Sequence, residues 1–174
     1  MKQSHIIVFL TDDHGAWAMP DKCEALHAPT LSWLQETGTT CTHAFSPNPV
    51  CSPARASFWS ELIPSAHGVL DFISEGANGV GSGHPGMDER NLGQRLQEVG
   101  YHTIFTGKWH AGGHGKKQDG FDHWASMTCG TNARCADFFF NIDGEEITRH
   151  GYQALMITAA AVGFLLDKIL FIVK

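Results

Sequence analysis

The chain has 174 residues, 43% of them hydrophobic and 17% charged, a balance that supports one ordinary globular domain and excludes a disordered or fibrous chain. Its formal net charge is −6 and it carries no run of Lys or Arg, which excludes the clustered positive track that nucleic-acid backbones require. Five cysteines, Cys23, Cys41, Cys51, Cys129 and Cys135, make neither an even disulfide set nor paired zinc spacing, so at least one thiol is left over.

Ile6 to Leu10 is a continuous apolar run that stops at Thr11, Asp12 and Asp13. It reads as a buried parallel strand with the two carboxylates at its carboxyl end. The run is too short for a secretory apolar core and has no cleavage site, which points to the cytoplasm, or to the periplasm or outside if the N-terminus is trimmed. Pro29 to Thr37 is predicted helical, with Leu31 and Leu34 on one face, Pro29 in the first turn and Gly38 as terminator. Thr39 to Phe45 reads as a strand or extended arm.

Pro53 to Ser60 is a second helix, preceded by Cys51, and Asn91 to Val99 a third, with Asn91 as N-cap and Leu92, Leu96 and Val99 turned inward. Tyr101 to Thr106 returns as a strand, and this alternation predicts a parallel α/β sheet whose ligands collect at the carboxyl ends of strands. Residues 75–90 form a Gly-rich loop; Gly81-x-Gly83-x-x-Gly86 within it lacks a preceding strand and holds Pro85, so it fails as a dinucleotide fingerprint. Ala136 to Ile142 and Glu145 to Thr148 are predicted to pair as a hairpin about Asp143-Gly144. Gly151 to Val173 is apolar, but its uncharged stretch before Asp167 and Lys168 is about 16 residues, below the roughly 20 needed to span a bilayer. A buried helix is expected there rather than a membrane segment.

Adjacent carboxylates such as Asp12 and Asp13 suit a hard divalent cation, the alternative being a solvated acidic turn. Cys51, ahead of a short helix, lies near a positive helix terminus that favours developing negative charge, and a plain thiolate nucleophile is one reading of it. Lys108-Trp109-His110 directly after an apolar strand is no ordinary solvated face. His110-x-x-x-His114 is broken by Gly112 and Gly113, which argues against a helical two-histidine metal site. His14 lines a pocket or stays in solvent, and His43, His67 and His123 are assigned to structure.

Cys51-Ser52-Pro53-Ala54-Arg55 follows the pattern Cys-x-Pro-x-Arg, which in sulfatases marks a cysteine for oxidation to formylglycine. The agreement continues through Ala56-Ser57-Phe58, Ile63-Pro64 and His67-Gly68-Val69. It recurs in Thr11-Asp12-Asp13-His14-Gly15, in Gly107-Lys108-Trp109-His110 and in Gly120-Phe121-Asp122-His123-Trp124. With four blocks in order, the chain resembles the N-terminal part of the sulfatase family, formylglycine-dependent hydrolases of the alkaline phosphatase-like superfamily. Trp59-Ser60-Glu61 stands where that family usually has Leu-Thr-Gly.

The resemblance implies an α/β fold with a mostly parallel central sheet flanked by helices, incomplete over residues 1–174, the family's C-terminal half being absent. It implies hydrolysis of a small-molecule or saccharide sulfate ester, aryl sulfate, choline sulfate or sulfated sugar. A formylglycine-generating enzyme would convert Cys51, and one Ca2+ would be held by Asp12, Asp13 and the modified Cys51. One hydroxyl of the hydrated aldehyde would attack sulfur, and the sulfated intermediate would collapse by expelling sulfate. Arg55 would fix the hydrate, Lys108 would bind a sulfate oxygen, and His110 would take the proton as sulfate leaves. The family's remaining metal ligands lie far downstream, so calcium, which takes six to eight oxygens, is expected to be under-coordinated and the chain alone inactive. Two alternatives stand beside this: a phosphonate or phosphate monoester hydrolase on the same scaffold, and a truncated non-catalytic remnant.

Overall fold

The computed structural model describes residues 4–73, 90–113, 115–128 and 137–172. Two compact units divide the chain, Met1–Phe45 and Ser46–Lys174. Cys129, Cys135, His114 and all but the last residue of the predicted Gly-rich loop fall outside the described residues; Cys23, Cys41 and Cys51 are free thiols.

In the first unit Ile6 to Leu10 is extended, but it is neither a strand nor buried, and its side chains are 48–86% exposed. This corrects the predicted buried parallel strand. Apolarity marks a segment as able to pair, yet a strand exists only where a neighbour takes its N–H and C=O groups, and none among the described residues of this unit does. The chain then bends at Asp12 and Asp13, and Asp13 takes a left-handed φ of 54°. A short 3-10 turn, Ala16–Ala18, follows, and His14 Nε2 donates to the Ala18 carbonyl at 2.7 Å. Helix α1, Pro29–Thr37, has the predicted proline start, and the Gly38 N–H closes it on the Leu34 carbonyl. Leu31 is half-buried while Leu34 is exposed, so the inward face is narrower than predicted. Thr39 to Phe45 is irregular, not a strand.

In the second unit helix α2 spans Cys51–Ser60, two residues earlier than predicted, so Cys51 lies inside the first turn rather than ahead of it. Proline is tolerated throughout that turn because its missing N–H would have no partner there anyway, and Pro53 therefore does not fix where the helix begins. Helix α3, Pro64–His67, follows. Helix α4, Leu92–Glu98, starts with a full capping box, the Asn91 side chain accepting from the Gln94 N–H and the Gln94 side chain accepting from the Asn91 N–H. Leu92 and Leu96 are half-buried, whereas Val99, predicted inward, is exposed beyond the helix end.

Strands β1 (Ile104–Gly107), β2 (His123–Met127), β3 (Asp137–Ile142) and β4 (Glu145–His150) form one sheet in the order β1-β2-β3-β4. The β1-β2 pair is parallel and the next two pairs are antiparallel, so the α/β class is as predicted while the sheet is mixed. The β3-β4 turn is the predicted Asp143-Gly144, both with positive φ, the twist that two-residue hairpins prefer. Asp143 Oδ1 accepts from the Trp124 N–H at 2.9 Å and from Lys117 Nζ at 3.0 Å, and Oδ2 pairs with His123 Nδ1 at 3.2 Å.

The core is aromatic. Phe105 stacks on Trp124 with centroids 4.5 Å apart, and Trp109, Phe121 and Trp59 close round them at 5–6 Å. Edge-to-face and offset contacts of this kind add stabilisation beyond the apolar area they bury. Helix α5, Gln153–Ile172, packs on β1 and β2, with Phe164 stacked on His123 at 4.9 Å and Met156 and Ile157 against Met127 and Phe140. Its other face leaves Leu155, Val162, Leu165 and Leu166 exposed. The expected buried helix is thus covered on one side only, because the described sheet offers it a single layer. Among the described residues, no helix is long and apolar enough to cross a membrane.

Candidate active site

Cys51, in the first turn of α2, is half-buried, and Arg55 lies four residues on, the spacing that puts both on one helix face. Arg55 is 7% exposed. A guanidinium so enclosed must be satisfied from the protein, and it donates to the main-chain carbonyl of Lys108. The Cys-x-Pro-x-Arg helix is thereby joined to the loop that leaves β1.

That loop starts at Gly107, whose φ of 122° admits few side chains. Trp109 anchors it in the aromatic core and donates from Nε1 to the Gly112 carbonyl at 2.8 Å. Lys108 is half-buried beside it. His110, with a left-handed φ of 52°, is 1% exposed; its Nε2 lies 3.1 Å from the Ile73 carbonyl and its ring meets Phe72 edge-on at 4.8 Å. A carbonyl only accepts, so Nε2 carries the hydrogen and Nδ1 is the basic nitrogen of the neutral ring.

Ile73 is held at its other end as well, its N–H donating to Ser52 Oγ at 3.0 Å. A second buried pair fixes the chain between α2 and α3. The Val69 N–H donates to His67 Nδ1 at 3.1 Å, which leaves Nε2 to donate to Ser57 Oγ at 2.9 Å. Burial pushes the His67 imidazole below its ordinary value, its backbone hydrogen bonds notwithstanding. Its partners are those of a structural residue, as the sequence predicts. His123, between Asp143 and Phe164, is in the same position.

The second unit therefore carries Cys51 and Arg55 on α2 and Lys108 and His110 on the loop at the carboxyl end of β1, and links the two segments by the Arg55–Lys108 bond and by the Ser52–Ile73–His110 bonds. Asp12 and Asp13 belong to the first unit, where both are exposed. Their oxygens are of the right kind for a hard cation. Within each unit, however, the described residues gather no three His, Cys, Asp or Glu side chains able to hold a metal ion, short of the six to eight oxygens that calcium takes. Two further participants have no clear mark in the sequence: Ser52, which fills the variable position of Cys-x-Pro-x-Arg, and Ile73, which acts through its main chain.

The sulfatase family model matches residues 4–168. The chain belongs to the sulfatase family. This sulfatase chain is 29% identical over 173 residues to an N-acetylglucosamine-6-O-sulfatase of Bacteroides thetaiotaomicron, covering 96% of this chain and 28% of that protein. It is 25% identical over 155 residues to an ulvan-active sulfatase of Formosa agariphila, covering 84% of this chain and 28% of the relative. Among solved structures, one of a protein in complex with its substrate D-glucosamine-2-N,6-O-disulfate superposes with a TM-score of 0.74 at 26% identity, over 90% of this chain and 30% of that one. A putative sulfatase from Bacteroides fragilis shares the fold at a TM-score of 0.57 and 22% identity, over 74% of this chain and 32% of its own. The α/β, alkaline phosphatase-like class expected from the motifs is that of these sulfatases. The chain spans 28% of the length of each of the two curated relatives above.

Proposed function

We propose that this chain carries the nucleophile of a sulfate-ester hydrolase acting on a sulfated amino sugar, with Cys51 converted to formylglycine. The observation that supports the reading is the bond from Arg55 to the Lys108 carbonyl, which links two motif blocks 53 positions apart. The relatives supply the substrate class: one is named for N-acetylglucosamine 6-O-sulfate, and one solved neighbour holds a glucosamine disulfate.

Formylglycine at position 51 would supply a hydrated aldehyde, one hydroxyl to attack sulfur and a second whose deprotonation releases sulfate. The chain's own residues then have separable tasks. The first turn of α2 presents main-chain N–H groups and positive dipole where negative charge develops. Arg55 holds a permanent charge one turn behind the nucleophile, and its fork keeps α2 in register with the β1 loop. Lys108 adds a point charge suited to a sulfate oxygen. His110 accepts a proton at Nδ1, because Nε2 is committed to Ile73. Trp109 and Trp124, both buried, exclude water behind the loop. Calcium enters this reading only as an ion to which Asp12 and Asp13 would offer two oxygens, and no step above runs through it.

The test is the mass of the tryptic peptide containing Cys51, from chain co-expressed with a formylglycine-generating enzyme. A loss of about 18 Da relative to cysteine, with aldehyde trapping, supports the reading. An unmodified thiol under those conditions rejects it. Release of sulfate from N-acetylglucosamine 6-sulfate, measured beside aryl and choline sulfates on a protein that joins this segment to the family's C-terminal half, then tests the substrate class.

A further inference from the structure

Ser52 is fully buried in the first turn of α2. A serine there ordinarily bonds to its own helix, as a cap or back to the preceding turn. This one accepts instead from the N–H of Ile73, 21 residues later. Ile73 is gripped three ways: its side chain is buried among Val69, Phe105 and Trp109, its N–H is on Ser52, and its carbonyl takes the hydrogen of His110 Nε2.

We infer that Ser52 is a positioning residue that selects the tautomer of His110 through the main chain of Ile73. The inference rests on the proposed reading in one respect only, that His110 is the group accepting a proton from the nucleophile at position 51. With the Ile73 carbonyl fixed, Nε2 must carry a hydrogen, and the neutral ring then keeps its lone pair on Nδ1. If that carbonyl drifts, the neutral ring samples both tautomers, and the fraction with the lone pair on the useful nitrogen falls. A helix that bears the nucleophile thus also sets the protonation pattern of a histidine 58 positions further on, through the main chain of a residue that the core holds in place.

The experiment is the pair of imidazole nitrogen-15 shifts of His110 in the full chain, for wild type, Ser52→Ala and Ser52→Thr, with hydrogen exchange of the Ile73 amide measured alongside. The wild type is expected to show a protonated Nε2, an unprotonated Nδ1 and a protected Ile73 amide. Ser52→Thr, which keeps the hydroxyl, is expected to match it. In Ser52→Ala the two shifts move toward each other and Ile73 exchanges about tenfold faster or more, as for an amide that has lost its partner. Wild-type shifts persisting in Ser52→Ala overturn the inference. Should Ser52→Ala not fold, the wild type decides: hydrogen on Nδ1, or an unprotected Ile73 amide, overturns it equally. Conversion of Cys51, read by peptide mass, is independent of these shifts, so failure of the sulfatase reading and failure of the relay are told apart.

Discussion

The guanidinium of Arg55 donates to the carbonyl of Lys108, so a side chain from the helix that begins at Cys51 is bonded to the backbone of the loop that bears two further candidate site residues. A buried cation on a carbonyl is a charge-assisted bond, worth about 1.5–3 kcal/mol. Arg55→Ala should lower stability by about that amount, read from the urea midpoint. Arg55→Lys should recover little of it, because an ammonium on a different stem does not reproduce the planar fork. A lysine variant as stable as the wild type would show that charge alone, without the fork, holds the loop.

Glu61 closes α2 in the left-handed region at φ 64°, its N–H on the Ser57 carbonyl at 2.9 Å. This is a position glycine occupies at no steric cost and other residues enter at a penalty. The resemblance places glycine here in the usual family pattern. Glu61→Gly is expected to raise stability by about 1 kcal/mol and the thermal midpoint by roughly 2–4 °C for a chain of this size. Calorimetry decides it, and a fall in the midpoint would contradict the strain argument.

Gly93 is buried in α4, and a Cβ there would meet the Gly120 carbonyl at 2.5 Å. In an exposed helix interior Gly→Ala gains about 1 kcal/mol from propensity. Here the obstacle is backbone, and Gly120 itself stands at φ 90° with the Gln94 N–H against it. The clash should win. Gly93→Ala is expected to lower stability by about 1–3 kcal/mol, the usual range for overpacking, and a stabilised variant by chemical denaturation would refute the close approach.

Burial would raise the Asp143 carboxyl, but hydrogen bonds from Lys117, His123 and the Trp124 N–H outweigh it and hold it below the ordinary carboxylate value. Asp122 behaves alike, with the Thr103 N–H and the neighbouring His102 opposing burial. A depressed folded-state pKa means the unfolded chain binds more protons, so the stabilisation is fully present above the ordinary value and is lost as pH falls through the folded one. Stability should therefore decline below about pH 3.8. Asp143→Asn should flatten that decline, which paired acid titrations of denaturation midpoint would show; equal slopes would remove Asp143 from the account.

Local punctuation made much of the fold legible in the sequence. Pro29 and Gly38 bound α1, Asn91 caps α4, and Asp143-Gly144 makes the hairpin turn. Each of these residues acts through its own backbone preferences. The candidate site was legible as residue types, since Cys51, Arg55, Lys108 and His110 stand in recognisable blocks. What tertiary packing decides was not legible. Ile6 to Leu10 has the composition of a strand without a partner in its unit, and Val99 continues the apolar spacing of α4 one step past the helix end. Ile73 left no sign because a carbonyl and an N–H belong to every residue type but proline. Trp59 departs from the family pattern, yet it packs against Phe105, Trp109 and Phe121, a role visible only once strands and loops bring those rings together.

Ile6 to Leu10 has a bearing on how the chain behaves at high concentration. Five uncharged side chains in a row, three of them β-branched, stand exposed on an extended backbone whose amides are ready to pair. Segments of this kind associate with their own copies in register, so self-association should grow steeply with concentration and begin at this segment before any global unfolding. Phe9, 86% exposed, is the position where one charge would act as a gatekeeper, interrupting stacking between molecules.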